Sequence, residues 1–112
     1  MKEPLLILLT VLCNAGAQVA LKTGSTGELS SWRGWLHPGI LFGLALYGIS
    51  FVLAVRVYAV NALSVISPLM AGAIFVLVSV AARLLFGESF TLGKSAGMLL
   101  ILAGIVLLSR SA

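Results

Sequence analysis

The segment Pro4–Lys22, PLLILLTVLCNAGAQVALK, decides the class of fold, because it is an apolar stretch of membrane-spanning length that also carries polar side chains. A helix that crosses the hydrocarbon core needs about 20 mostly apolar residues. Asn14, Gln18 and Lys22 follow one another at intervals of four, which places them on one face of a helix. The segment is therefore predicted to be a membrane helix with a polar stripe.

The composition of the whole chain also indicates a membrane protein. Its 112 residues are 61% hydrophobic and 9% charged, with a mean hydropathy of +1.19. So few polar side chains do not cover the surface of a water-soluble core. Apolar stretches recur along the chain, and we predict helices over residues 4–22, 38–57, 61–86 and 94–109.

These helices are predicted to form a single domain over residues 1–112, an all-α membrane protein with a four-transmembrane-helix bundle. The spans lack the alternation of a membrane β-barrel, and lipid requires every backbone polar group to be satisfied within the protein. The first span also imitates a secretory signal, because Lys2 precedes it and Ala15, Gly16 and Ala17 resemble a cleavage site. We expect it to be retained, since three further spans follow it.

The basic residues are predicted to anchor the helices at the membrane surface. The net charge is +4, but the seven basic residues are spread along the chain, which argues against a nucleic-acid partner. With four spans, the two surfaces carry similar numbers of basic residues: Lys2, Arg56 and Arg110 on one side, and Lys22, Arg33, Arg83 and Lys94 on the other. The charge pattern therefore leaves the orientation open, including insertion in both directions.

The titratable residues do not form a catalytic set. The three acidic residues, Glu3, Glu28 and Glu88, all fall at predicted helix ends or in loops, and His37 is the single histidine. General acid–base and metal-assisted hydrolysis need groups that this pattern does not bring together. No phosphate-binding glycine motif is present either. We therefore expect no enzyme activity, no cofactor and no metal site.

The polar stripe of the first helix has two interpretations. Side-chain amides that face lipid lose hydrogen bonds, so such groups usually turn toward a neighbouring helix or a hydrated cavity. Asn14 and Gln18 would then either hold helices together or line a path for a polar or anionic head group. Lys22 and Arg83 are predicted to emerge at the same surface, where they would either bind a phosphate or only anchor their helices.

Proline and glycine residues mark predicted points of bending and packing. Pro68 lies inside the third span and Gly72 follows one turn later, so a flexible kink or a static one is expected there. Gly97 and Gly104 are seven residues apart and share one face of the fourth helix. That face is predicted to pack against the second helix or against a second copy of the chain.

The chain resembles the drug/metabolite transporter superfamily over essentially its whole length. The resemblance lies in four short spans, in a basic residue that ends the first helix, in Ser67-Pro68, and in the segment LLFGESFTLGKSAGMLLILAGIVLLS with Gly87-Glu88 at the end of the third helix. Within the superfamily, small multidrug resistance exporters use a membrane-embedded glutamate of the first helix to bind protons and cationic drugs. The corresponding residue here is Asn14, which does not titrate.

A second group of the superfamily is more similar, namely the paired flippase subunits that move aminoarabinose-phosphoundecaprenol across the bacterial inner membrane. These subunits also lack the glutamate, and they share the pattern of Asn14, Gly16-Ala17, Gln18 and Lys22 together with the positions of Pro68 and Glu88. The resemblance implies a homodimer, or a heterodimer with a sister subunit, that flips a polyprenyl-phosphate-linked sugar or a similar lipid-linked anionic substrate.

Two alternatives to a flippase follow from the same residues. One is export of hydrophobic or cationic compounds, with Glu88 or an aromatic residue such as Tyr47 replacing the missing acid. The other is a membrane subunit that stabilises a larger complex without transporting anything. A hydrated cavity beside Asn14 and Gln18 is expected for the flippase and for the exporter, but not for a subunit that only stabilises a complex.

Overall fold

The structure is a computed structural model that describes residues 2–25 and 29–111. These residues form four α-helices and a short 3-10 helix at Gly34–Leu36. The α-helices are α1 (Pro4–Gly24), α2 (Pro38–Val60), α3 (Leu63–Phe86) and α4 (Leu92–Ser111). The predicted all-helical fold with four helices is confirmed, and each observed helix end lies within three residues of the predicted one.

Three of the helices are long and apolar enough to cross a membrane. By length and composition these are α1, α2 and α3, with mean hydropathies between 1.9 and 2.3 in their most apolar windows. α4 contributes a shorter apolar helix over Leu92–Leu108. The chain is therefore a multi-pass membrane protein, and the crossing of the membrane by α4 stays a prediction.

The helix ends are set by local chemistry. Pro4 and Pro38 occupy first-turn positions of α1 and α2, where a missing N–H leaves no hydrogen bond unmade. His37 caps α2, because its Nδ1 accepts a hydrogen bond of 2.9 Å from the backbone N–H of Gly39. Gly87 ends α3 with a φ of 64°, a left-handed conformation that glycine adopts without steric cost.

α1 and α2 form the most closely packed pair of helices. A Cβ atom added at Gly43 would lie 2.9 Å from the side chain of Leu21 and 3.0 Å from the carbonyl oxygen of Ala17. One added at Gly39 would lie 2.9 Å from the carbonyl oxygen of Ala20. Glycine therefore lets the two backbones approach, as in other membrane helix pairs.

The N-terminal segment is fixed to the end of α2 by polar contacts. Asn61 accepts a hydrogen bond of 2.8 Å from the backbone N–H of Lys2 and donates one of 3.1 Å to the carbonyl oxygen of Lys2. Arg56 pairs with Glu3, with 2.8 Å between Nη2 and Oε1. The buried apolar core consists of side chains from α1, α2 and α3: Ile7, Val11, Val57, Ile66, Leu69 and Met70.

α4 lies at the edge of the bundle. It packs mainly against α3, and none of its described side chains is buried. Large apolar side chains of α4 are exposed instead, including Leu100 and Leu107. In a bilayer these side chains face lipid or another protein chain.

Candidate cavity between α1, α3 and α4

A cavity of about 620 Å³ lies between α1, α3 and α4. α1 contributes Asn14 and Gln18, while most of the remaining wall is apolar. A volume of roughly 300–1,000 Å³ is typical of small-molecule sites. The lining residues are Asn14, Gln18, Ala71, Ile74, Phe75, Val78, Ser79, Ala82, Glu88, Phe90, Lys94, Gly97, Met98 and Ile101.

The two amides are connected to α2 by a chain of hydrogen bonds. Gln18 Nε2 donates to Asn14 Oδ1 at 3.1 Å, and Asn14 Nδ2 donates to Ser50 Oγ at 3.5 Å. The Ser50 hydroxyl in turn donates to the backbone carbonyl of Thr10 at 3.4 Å. Ser50 is only 3% exposed, so this end of the chain is closed to solvent.

At the cavity end of this series of hydrogen bonds, one acceptor has no partner. Gln18 Oε1 accepts no hydrogen bond from the described residues, and no buried side-chain nitrogen or oxygen among those residues lacks a partner. Gln18 is half-buried and lines the cavity, so its unpaired Oε1 is not enclosed by the protein. Asn14 thus bonds to α2 through Ser50, and both amides border a cavity, while a path for a head group stays a prediction.

The charged residues of the cavity come from the α3–α4 connection and from the first turn of α4. Glu88 and Lys94 both belong to the wall and are exposed at its mouth. Lys94 Nζ donates a hydrogen bond of 3.0 Å to the backbone carbonyl of Ser89, which holds the ammonium group near the α3–α4 connection. The mouth therefore offers an anionic and a cationic group to a ligand.

Lys22 and Arg83, the predicted phosphate ligands, are not among the described residues that line this cavity. Both are exposed, and Arg83 Nη1 donates to the carbonyl oxygen of Glu88 at 3.5 Å. Tyr47 is half-buried on α2 and is also absent from the wall. A substrate role for these residues stays a prediction.

The predicted bending residues occupy two different environments in α3. Pro68 is exposed within a helix that continues on both sides of it. Gly72 faces α4, and an added Cβ would lie 2.9 Å from Ile105 Cδ1 and 3.2 Å from Ile101 Cγ2. Gly72 therefore has a packing role between α3 and α4, and the predicted conformational role of both residues stays a prediction.

Gly97 and Gly104 have open space beside them. An added Cβ at either position meets no described atom within 4 Å, although Gly97 belongs to the cavity wall. The described part of the chain thus provides no helix that packs on this face at the glycines. Packing against a second copy of the chain stays a prediction.

A second cavity, of about 450 Å³, lies nearer the N-terminal end of α1. All of its lining residues are apolar: Pro4, Ile7, Leu8, Val11, Leu69, Ala73, Val76, Leu77, Leu102 and Ile105. It offers no hydrogen-bonding side chain to a head group. The cavity beside Asn14 and Gln18 is therefore the better candidate for a site that binds a polar ligand.

Ser50 and Lys94 are residues of the site that the sequence pattern did not single out. Gly43, Ser50 and Val57 are seven residues apart and are the buried positions of α2. Extending the face marked by Gly39 and Gly43 along α2 would have placed Ser50 against α1. Lys94 carried no comparable signal, because its position depends on how α4 packs against α3.

Among the described residues, no group of three His, Cys, Asp or Glu side chains is arranged to hold a metal ion. Cys13 is a free thiol on α1, and the nitrogen Nδ1 of His37 is engaged in the cap of α2. Glu28, one of the three acidic residues, lies outside the described residues.

The chain is similar in sequence to a bacterial protein. No family model matches the chain, and no solved structure matches it. The chain is 37% identical over 76 residues to uncharacterized protein y4nH of Sinorhizobium fredii (strain NBRC 101917 / NGR234). The similarity covers 68% of this chain and 65% of the relative, so the chain spans just under two thirds of that protein's length.

Proposed function

We propose that this protein is a membrane transporter of the flippase type. Its substrate would be a polyprenyl-phosphate-linked sugar, or a similar lipid-linked anionic molecule, that crosses the bacterial inner membrane. The transporter would act as a homodimer or as a heterodimer with a sister subunit. The observation that carries the proposal is the cavity whose inner wall bears two amides while most of the rest is apolar.

The chemistry of this cavity suits a polar head on an apolar chain. Moving a phosphate and its sugar through hydrocarbon requires groups that replace water around them. Asn14 and Gln18 supply amide groups, and Lys94 supplies a cation at the mouth. The prenyl chain would stay in the bilayer, beside apolar wall residues such as Phe75 and Ile101. Lys22 and Arg83 would attract the phosphate at the surface where α1 and α3 end.

Export of hydrophobic cations is the second candidate function, because Glu88 belongs to the cavity wall. A carboxylate at that position attracts a quaternary ammonium compound as readily as Lys94 attracts a phosphate. The apolar part of the wall suits both substrates. A lipid-linked phosphate would need the positive charge of Lys94, whereas a quaternary ammonium compound would need the negative charge of Glu88.

The first experiment tests whether the cavity is hydrated, in a Cys13→Ala background that removes the native thiol. Asn14→Cys and Gln18→Cys are treated in native membranes with a charged, membrane-impermeant thiol reagent from each side. We expect labelling at both positions, with Gln18→Cys the faster. Ser50→Cys is the matched control, and it should stay unlabelled because Ser50 is 3% exposed. Protection of all three cysteines would mean that the amides only hold helices together.

The second experiment identifies the substrate in proteoliposomes. A fluorescent undecaprenyl-phosphate glucose is placed in the inner leaflet, and its arrival in the outer leaflet is measured by quenching with dithionite. Uptake of a fluorescent quaternary ammonium dye is measured in parallel. The proposal predicts lipid movement that Lys94→Gln slows and Glu88→Gln leaves largely intact. Dye uptake without lipid movement, abolished by Glu88→Gln, would establish the exporter function instead.

A further inference from the structure

Ser50 is a buried hydroxyl in the contact between α1 and α2. It does not belong to the cavity wall, but it is the group to which Asn14 is bonded. The Ser50 hydroxyl lies between two polar groups of α1, the backbone carbonyl of Thr10 and the amide of Asn14. Its role therefore depends on which of these groups donates a hydrogen bond and which accepts one.

The direction of every hydrogen bond in the chain follows from the Thr10 carbonyl. A carbonyl oxygen only accepts hydrogen bonds, so the Ser50 hydroxyl must donate its proton to it. The Ser50 oxygen is then available only as an acceptor, and Asn14 must turn its NH2 group toward it. Asn14 Oδ1 consequently faces Gln18 and accepts a hydrogen bond from its NH2 group.

Gln18 is the last member of this chain, and its orientation is decided by the members before it. Because one N–H of Nε2 is used toward Asn14, Gln18 keeps its acceptor Oε1 and a second N–H for a ligand. Oε1 accepts no hydrogen bond from the described residues, so a ligand that donates one to it satisfies a group that an acceptor-only ligand leaves unpaired. A sugar hydroxyl donates such a bond, whereas a phosphate oxygen or an ether oxygen does not.

We propose that Ser50 is a positioning residue that makes the cavity selective for head groups bearing a hydroxyl donor, by fixing the orientation of Asn14 and through it that of Gln18. This inference rests on the proposed function and names the part of the substrate that Gln18 recognises. Removing the hydroxyl releases the Asn14 amide, which then allows Gln18 to turn and use its Oε1 toward the Asn14 NH2 group instead of toward the ligand.

The test compares binding of undecaprenyl-phosphate glucose with that of its 2-, 3-, 4- and 6-deoxy analogues to the purified full-length protein. Wild type should bind at least one deoxy analogue about two- to tenfold more weakly, the range expected for one net hydrogen bond. In Ser50→Ala that ratio should fall toward one, and in Ser50→Thr, which keeps the hydroxyl, it should be retained.

Thr10→Val is the matched control. Thr10 is 2% exposed, and its side-chain hydroxyl donates to the Leu6 carbonyl of its own helix, so the substitution removes a neighbouring buried hydroxyl without touching the chain to Gln18. The binding ratio should stay at the wild-type value in this variant. Thermal stability is measured for every variant, since a merely structural role of Ser50 would lower the melting temperature without changing the ratio.

Failure of this inference differs from failure of the proposed function. If wild type binds and moves the glucose lipid and Ser50→Ala keeps the wild-type ratio, the positioning role of Ser50 is overturned and the flippase function stands. If wild type discriminates against none of the deoxy analogues, the inference is overturned in the same way. If wild type neither binds nor moves the lipid, both are overturned.

Discussion

The contact between α1 and α2 gives the sharpest prediction for the fold. In Gly43→Ala, the new Cβ would lie 2.9 Å from two side-chain atoms of Leu21 and 3.0 Å from the carbonyl oxygen of Ala17. The Leu21 side chain can rotate away, but Ala17 contributes backbone, so α1 itself must move by a few tenths of an ångström. Overpacking of this kind costs about 1–3 kcal/mol.

Gly48→Ala is the control in the same helix, because an added Cβ there meets no described atom within 4 Å. Both variants gain the same helix propensity from alanine, so the difference between them isolates the contact. Thermal unfolding in detergent should place the melting temperature of Gly43→Ala below that of Gly48→Ala by at least about 4 °C, since 1 kcal/mol corresponds to roughly 4–8 °C in a chain of this size. Equal melting temperatures would refute the close approach of the two backbones.

Two further predictions concern the contact between α3 and α4 and the ion pair of Glu3 with Arg56. Gly72→Ala should destabilise the protein by only about 1 kcal/mol relative to Gly104→Ala, because the atoms that it meets belong to side chains and not to the backbone of α4; thermal unfolding of the two variants measures the difference. Glu3→Gln removes the ion pair with Arg56 and should lower the melting temperature slightly at low ionic strength. This loss should vanish in about 1 M salt, where the screening length is roughly 3 Å. A loss that persists in salt would mean that the contact between Glu3 and Arg56 is not electrostatic.

The fold was largely predictable because each helix is a continuous apolar run with a clear limit. Pro4 and Pro38 mark the starts of α1 and α2, and Gly87 marks the end of α3. These signals are local and act through backbone geometry, so they do not depend on neighbouring helices. Gly39 and Gly43 have GxxxG spacing, which is common and therefore a weak signal by itself, and both lie at the close contact of α1 and α2.

The candidate site was less predictable, since it depends on how the helices rotate against one another. Spacing placed Asn14 and Gln18 on one face, but it did not show that this face meets both α2 and a cavity. Lys22 continues the same stripe, yet the basic residue in the described cavity wall is Lys94. The reason is that the wall includes the first turn of α4, whose position is set by its packing on α3.

A neutral amide at position 14 also bears on the driving force of the proposed transport. Coupling to protons requires a group that gains and loses a proton as the substrate binds, and Asn14 has none. Among the described lining residues, the acidic one is Glu88, which is exposed and would not be enclosed with the proposed substrate. We therefore expect the rate of lipid movement in proteoliposomes to be the same with and without an imposed pH gradient, in wild type and in Glu88→Gln alike. A rate that rises with the gradient in wild type and loses that response in Glu88→Gln would show that Glu88 couples transport to protons, because only a titrating carboxylate is removed by that change.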